Sequence, residues 1–215
     1  GKLILGQDDD AADSYNIDEM DLIAEESSAT LASASISTNS SISSDDAMKV
    51  AYHLPAMGGL SAGISHTDRS AAGGTDTTSY GAKYSMDAAG AAITLGYAAV
   101  QDENATQDVD MENMGLKVVS GDISLVLSQG NYEASDEDRD NSGGSISYKM
   151  PNGMTVGAFV FKSEDDKDVG EEYSASGAEI QYNIASGLKA TITVVDYDYK
   201  KTTANHESAD TSADS

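Results

Sequence analysis

The chain has 215 residues and no cysteine, and its 37 acidic residues against 12 lysines and arginines give a net charge of −25 at pH 7. This negative charge argues against a nucleic-acid-binding surface, and the lack of cysteine removes any basis for a disulfide scaffold or a thiolate metal site. With a mean hydropathy of −0.37 and no long apolar stretch, transmembrane helices are excluded. A transmembrane β-barrel is not excluded by these values, because only its alternate residues meet lipid.

Residues 1–7 predict a strand, and a 40-residue link, 8–47, follows it with eleven acidic residues and no lysine or arginine. A link of that length is uncommon inside a compact domain and is usually functional or disordered. Its apolar residues Tyr15, Ile17 and Leu22 provide anchors and favour a folded loop. The other interpretation is a solvated, partly disordered acidic linker.

Ten more strands are predicted from alternation of apolar and polar residues, since a strand sends successive side chains to opposite faces. In residues 178–184, for example, Ala178, Ile180 and Tyr182 oppose Glu179 and Gln181. The ten are residues 48–54, 60–65, 80–86, 93–99, 114–120, 123–128, 145–150, 155–161, 178–184 and 188–194. Residues 202–215 read as a polar tail.

The links between these strands alternate in length and charge. Tight, nearly uncharged turns at 55–59, 87–90, 121–122, 151–153 and 185–187 alternate with long acidic links at 68–79, 101–113, 131–144 and 163–176. In an up-and-down meander every second connection lies at the same end, so one end would carry all the long links. This asymmetry is typical of a membrane-spanning barrel, whose two ends face different compartments.

Five lysines fall on the polar phase of five different strands: Lys49, Lys83, Lys117, Lys149 and Lys189. The interior of a β-sandwich would not accept five lysines, because an unpaired buried charge is costly. They therefore face either plain solvent on a soluble sheet or a water-filled lumen in a barrel.

Four segments resemble the sixteen-stranded, trimeric general porins of the Gram-negative outer membrane. Residues 1–13 resemble the fifth strand of such a barrel running into its inward-folded third loop. The other three resemble recurrent porin hairpins: Met48-Lys-Val-Ala-Tyr-His-Leu-Pro55 with Gly59-Leu-Ser-Ala-Gly-Ile-Ser65, Ser147-Tyr-Lys-Met-Pro-Asn-Gly-Met154, and Tyr182-Asn-Ile-Ala-Ser-Gly-Leu188.

The resemblance implies an all-β, transmembrane, antiparallel up-and-down barrel in the outer membrane of a Gram-negative bacterium. It implies sixteen strands in the full protein, of which the eleven predicted here would be the fifth to the fifteenth. The whole chain, 1–215, would then be a single barrel domain truncated at both ends, with residues 8–47 as its constriction loop. The implied partners are outer-membrane lipid, lipopolysaccharide and two further copies in a homotrimer.

The implied function is passive diffusion of ions and small hydrophilic solutes through a water-filled pore, without catalysis. Because acids outnumber bases about threefold, we expect a preference for cations. The candidate constriction acids are Asp8, Asp9, Asp10, Asp13, Asp18, Glu19, Asp21, Glu25 and Glu26. The candidate wall residues are the five lysines and His53.

Arginines mark a departure from the family pattern, which sets several of them on the wall opposite the constriction loop. Here we expect both arginines, Arg69 and Arg139, to lie in outer loops.

The outer loops also contain Asp136, Asp138 and Asp140, which have the spacing of the first three ligands of a calcium loop. Because the turn glycine and the final glutamate of such a loop are missing, an acidic loop tip is favoured over a weak calcium site. No other cofactor is expected, and outer loops of this kind are also where phages could dock.

Three other functions compete with a general pore. No catalytic motif is present, and the three histidines lack metal-ligand spacing, so an enzyme is disfavoured. An exported, acidic, calcium-stabilised adhesin or surface-layer protein would place the lysine faces in solvent. A channel specific for sugars would need aromatic residues on the lumen phase, but five tyrosines, Tyr52, Tyr80, Tyr84, Tyr148 and Tyr182, fall on the opposite phase. That pattern favours a general pore.

Overall fold

The computed structural model describes residues 1–18, 47–68, 76–103, 108–135, 137–165, 171–202 and 208–214. Its strands are β1 (Lys2–Asp8), β2 (Ala47–His53), β3 (Leu60–Thr67), β4 (Asp76–Ala88), β5 (Ala91–Glu103), β6 (Asp108–Ser120), β7 (Ile123–Glu133), β8 (Asp138–Lys149), β9 (Met154–Asp165), β10 (Glu171–Ala185), β11 (Leu188–Thr202) and β12 (Ser208–Asp214). One 3-10 helix, Ala11–Tyr15, follows β1. Within the described ranges, no helix has the length and apolar character needed to cross a membrane.

The strands form one antiparallel sheet in which each strand pairs with its neighbours in sequence, from β1 to β12. This confirms the predicted all-β, up-and-down architecture, and each of the eleven predicted strands is present. The twelfth was not expected: residues 208–214 pair with 196–202 instead of forming only a polar tail. A ladder of backbone hydrogen bonds needs no apolar side chains, so a polar segment can extend a sheet without an alternating pattern.

Two faces of the sheet differ in chemistry. We call outer the face that carries the exposed large apolar side chains, for example Leu5 (71% exposed), Met114 (63%) and Ile192 (67%). The predicted tyrosines Tyr52, Tyr84, Tyr148 and Tyr182 are also exposed, and the strand register places them and Tyr80 on this face. The inner face carries Lys49, Lys83, Lys117, Lys149 and Lys189. An apolar outer band is what contact with lipid requires.

Most strands are longer than the alternation predicts. β4 begins at Asp76, β5 runs to Glu103 and β10 begins at Glu171, so parts of the predicted acidic links lie inside the sheet. Of the predicted link 131–144, only residues 134–137 lie between strands in the structure. The reason is that apolar alternation marks only the height of the apolar band, whereas backbone pairing continues beyond it.

The connections still differ between the two ends of the strands. At one end, here called the turn end, β4–β5, β6–β7 and β10–β11 are joined by two residues each. Gly90 and Gly187 in these turns have φ values of 81° and 80°, a region that a side chain disfavours. The β2–β3 and β8–β9 links at this end have six and four residues, and the links at the opposite end, called the loop end, run from four residues to the 38 residues 9–46.

Candidate pore wall and inward segment

Residues 9–18, called here the inward segment, leave the end of β1 and cross the inner face of the sheet. The 3-10 helix within them contacts β2, β3, β4 and β5, and Ile17 reaches β6 at Gly115. Ala11, Ala12, Tyr15 and Ile17 are buried. This part of the predicted loop 8–47 is therefore packed against the wall, and the solvated-linker interpretation does not hold for it.

Four glycines on four adjacent strands make room for the inward segment: Gly63, Gly81, Gly96 and Gly115. A Cβ atom at Gly81 would lie 2.7 Å from Tyr15 Cβ, and one at Gly96 would lie 2.9 Å from Ile17 Cδ1. Real Cβ atoms do not approach so closely, so any side chain at these positions would displace the segment. Gly63 pairs with Gly81 and Gly96 pairs with Gly115. Gly81 and Gly96 are offset by two residues between β4 and β5, so the four glycines form a diagonal floor beneath the segment.

Wall serines hold the start of the 3-10 helix. The backbone N–H of Ala11 donates to Ser65 Oγ at 2.9 Å, and that of Ala12 donates to Ser79 Oγ at 3.2 Å. The two hydroxyls are 2.8 Å apart, and Asp10, at the N-cap position, makes no side-chain cap of its own. The first amides of a helix lack partners within it, and here the barrel wall supplies them.

Asp10 and Lys49 form a buried ion pair beside this helix. Lys49 Nζ lies 2.6 Å from Asp10 Oδ1, and the two side chains are 0% and 5% exposed. Lys49 on β2 pairs with Gly6, near the end of the adjacent strand β1. The lysine side chain therefore lies close to Asp10, just beyond the end of β1. A buried charge requires such a partner.

A second polar contact joins the segment to the wall. Tyr15 Oη lies 2.8 Å from His53 Nδ1 in hydrogen-bond geometry, and the two ring centroids are 5.8 Å apart. His53, a predicted wall residue, thus holds the inward segment through Tyr15.

The predicted constriction acids differ in their surroundings. Asp9 and Asp13 are exposed, Asp8 is half-buried, and Asp18 is buried with its carboxylate accepting from Asn16 Nδ2 at 3.0 Å. Glu19, Asp21, Glu25 and Glu26 lie outside the described residues.

Asp13 has a shifted protonation equilibrium. The pKa of its carboxyl is raised above the ordinary value of 3.8, first by loss of solvent and then by the nearby charges of Asp9 and Asp10. Lys83 and Lys49 act in the opposite direction. Loss of solvent and neighbouring negative charge both disfavour the ionised carboxylate.

The remaining wall lysines lie at different heights on the inner face. Lys83 and Lys117 are half-buried near the inward segment, and Lys149 and Lys189 are exposed at the turn end. Lys189 Nζ donates to Gln181 Oε1 at 3.5 Å.

Two buried charged residues of the inner face were not among the predicted wall residues. Arg139 does not lie in an outer loop: it is inside β8, its side chain is 5% exposed, and it pairs with Glu137 at 3.2 Å and Glu171 at 3.8 Å. Glu179 is 3% exposed and accepts hydrogen bonds from Thr193 Oγ1, at 2.9 Å, and from Gln181 Nε2. The alternation around Glu179 did show its phase, whereas the length of β8 was not readable from its acidic sequence. Arg69 lies outside the described residues.

The predicted calcium ligands Asp138 and Asp140 lie on the outer face of β8, where Asn131 Nδ2 approaches their carboxylates at 3.3 Å and 3.4 Å. Asp136 lies outside the described residues. In the described part of the chain, no group of three His, Asp or Glu side chains is arranged to hold a metal ion. The calcium site stays a prediction.

The inner face also carries aromatic rings that the sequence analysis did not expect. Phe159, Phe161, Tyr173, Tyr197 and Tyr199 share this face on β9, β10 and β11, as the register shows. The five tyrosines named earlier do lie on the outer face, but the inference that the lumen phase lacks aromatic residues is wrong. These residues lie near the loop ends of their strands, in segments that the alternation assigned in part to links.

Several solved structures have a similar fold. OmpT of Vibrio cholerae, expressed in the outer membrane, has a TM-score of 0.65 at 14% identity over 99% of this chain and 73% of its own. OccD3 (OpdP) of Pseudomonas aeruginosa has a TM-score of 0.60 at 9% identity, over 74% of this chain and 52% of its own. OccAB4 of Acinetobacter baumannii has a TM-score of 0.58 at 12% identity, over 78% and 51%. The matched parts are about half the length of the last two structures.

No curated protein sequence matches the chain. The family profile described as Gram-negative porin matches residues 1–204, nearly the whole chain. That match agrees with the apolar outer band, the polar inner face and the up-and-down strand order, and it sets the sheet in the wall of an outer-membrane β-barrel. The chain belongs to the Gram-negative porin family.

Proposed function

We propose that the full-length protein forms a water-filled pore through which ions and small hydrophilic solutes diffuse passively, with a preference for cations and without catalysis. Residues 8–47 are its constriction loop, and the inward segment fixes the start of that loop on the wall.

One observation carries the cation preference: the charge of Lys49 is balanced by Asp10 inside the wall, whereas Asp9 and Asp13 of the same segment are exposed. The inward segment therefore presents negative charge to the lumen. Lys83 offsets part of the charge of Asp13, but the chain as a whole carries −25. Charged side chains in a narrow aqueous channel bias which ions enter it.

We further propose that three copies assemble in the membrane, with lipid and lipopolysaccharide around them. Small residues on the outer face, which would permit close approach of a second barrel wall, support this assembly: Ala62, Ala82, Ala158, Ala178 and Ala190. Chemical cross-linking in outer-membrane vesicles tests the stoichiometry. Calcium at the outer loops and docking of phages there remain predictions.

The experiment that tests the pore is the reversal potential of the full-length protein in planar bilayers under a potassium chloride gradient. We expect stepwise ohmic openings and a potential of the sign that potassium permeation produces. An anion-selective potential would overturn the cation preference while leaving the pore intact. A folded protein without conductance, stabilised by calcium, would instead favour the surface adhesin.

A further inference from the structure

A groove runs across five neighbouring strands on the outer face, from β3 to β7. One of its walls is a row of directly paired side chains: Leu60, Tyr84, Leu95, Leu116 and Leu127. The next row toward the loop end contributes Ala82, Tyr97, Met114 and Gln129. Ala82 pairs with Tyr97, and its single methyl group leaves a depression beside that ring.

The groove has the size and the surface of a binding site for an apolar chain. Its volume is about 520 Å³, within the range of about 300–1,000 Å³ found for small-molecule sites. Leu95, Met114 and Leu127 are 48%, 63% and 49% exposed. Because the outer face of a membrane barrel meets lipid, a hydrocarbon chain is the occupant that this surface fits.

A polar row closes the groove at its loop end. Glu112 on β6 pairs with Asn131 on β7, and Asn131 pairs with Asp140 on β8. These three residues line a smaller hollow of about 190 Å³, which shares Tyr97 and Gln129 with the groove. Glu112 and Asp140 are both exposed. The two spaces therefore form one surface, apolar toward the turn end and acidic toward the loop end.

We propose that this surface, called here the lipid groove, binds one molecule of phosphatidylethanolamine. The lipid presents an acyl chain, a phosphate and an ammonium group in that order. The groove offers partners in the same order, with the leucine row for the chain, the Gln129 amide as a donor for the phosphate, and the carboxylates of Glu112 and Asp140 for the ammonium group.

Charge complementarity selects this head group among membrane lipids. A carboxylate forms strong charge-assisted hydrogen bonds with an ammonium group. The head group of phosphatidylglycerol has a phosphate and hydroxyls but no ammonium, so Glu112 and Asp140 would meet only negative charge there and repel it. The lipid groove lies outside the lumen, so this inference goes beyond the proposed pore and does not require the protein to conduct.

The test is native mass spectrometry of the full-length protein in detergent, titrated with phosphatidylethanolamine or phosphatidylglycerol of identical acyl chains. EDTA is present throughout, because Asp140 is also a predicted calcium ligand. We expect one saturable phosphatidylethanolamine adduct per chain, bound about tenfold more tightly than phosphatidylglycerol. Equal binding of the two lipids, binding of neither, or binding of phosphatidylglycerol that appears only when calcium replaces EDTA would overturn the proposal.

Charge-neutral substitutions then assign the preference to the acidic end. Glu112→Gln with Asp140→Asn keeps the shape of both side chains and should bring the affinities of the two lipids together. The matched control is Glu164→Gln with Asp196→Asn, which makes the same charge change at exposed positions of the outer face on β9 and β11. A preference that survives the first double change would place the lipid elsewhere and overturn the proposal.

Filling the groove tests the apolar end. Ala82→Phe should abolish the phosphatidylethanolamine adduct, because the ring occupies the depression. Ala158→Phe is the matched control, since Ala158 lines a separate apolar hollow of the outer face with Ile123 and Ile146. If Ala82→Phe does not fold, Ala82→Leu replaces it.

The same variant separates the lipid from a second copy of the chain. Ala82 is also one of the small residues that support the proposed assembly. An Ala82→Phe protein that keeps its oligomeric state and loses the adduct would support the lipid groove. A protein that dissociates and keeps the adduct would show that copies of the chain, and not a lipid, cover this surface, and the proposal would fail.

Discussion

Lys49 Nζ lies 2.6 Å from Asp10 Oδ1, and neither side chain is more than 5% exposed. This ion pair joins β2 to the point where the chain leaves β1 and turns over the inner face. It gives Lys49 a structural partner, so the wall presents one positive charge fewer to the lumen. Both the position of the inward segment and the charge of the proposed constriction depend on this pair.

Replacing Lys49 by methionine should destabilise the folded barrel. Asp10 would remain buried without its lysine, and breaking a buried ion pair costs about 3–5 kcal/mol. Urea unfolding, followed by the loss of the folded electrophoretic band, measures the change. Asp10→Leu in the same molecule should restore most of the stability, because an apolar pair needs no compensation. Lys189→Met at the exposed turn end is the matched control and should have little effect.

Replacing Asp13 by asparagine should reduce the preference for cations. Asp13 is exposed on the inward segment, and the substitution removes its charge with almost no change in volume. The reversal potential in a potassium chloride gradient should move toward zero. Asp122→Asn at an exposed turn is the control and should leave the potential closer to wild type. Equal shifts in the two variants would mean that overall charge, and not the inward segment, sets the selectivity.

The cation preference should fall as the pH is lowered, and the fall should begin above the pH at which an ordinary aspartate titrates. The pKa of Asp13 is raised above 3.8, mainly by loss of solvent, so its charge is present at neutral pH and is lost earlier on acidification. Reversal potentials between neutral pH and about pH 3 follow this change. Asp13→Asn should remove the earliest part of the titration. A wild-type curve that the asparagine variant reproduces would contradict the assignment.

Replacing Gly115 by valine should detach the inward segment from the wall. A Cβ atom there overlaps Ile17, so the segment or the strand must move. The chain has no cysteine, which allows Ile17→Cys to serve as a single reporter. A water-soluble maleimide should label it slowly in the parent background, where Ile17 is 1% exposed, and rapidly with Gly115→Val. Gly144→Ala is the control, because a Cβ there meets only the Leu127 side chain and the Val126 backbone oxygen. Slow labelling in both variants would show that the floor tolerates side chains.

The apolar band and its phase could be read from the sequence, because period-two alternation follows directly from strand geometry. The same alternation placed Lys49, Lys83 and Lys189 on one face, and the structure has them there. It did not show how far the strands continue, because polar residues can pair as well as apolar ones. Arg139 and the polar strand β12 were misplaced for that reason.

Only the tertiary structure decided the contacts between residues that are far apart in the chain. The acidic composition of residues 8–47 pointed to charge in a lumen, but Asp10 and Asp13 look alike in sequence. One of them meets Lys49, 39 residues later, and the other stays exposed. Gly63, Gly81, Gly96 and Gly115 likewise become a floor only when four strands lie side by side. Local alternation is set by bonds between neighbours, whereas burial and pairing are set by the strand register, which brings distant segments together.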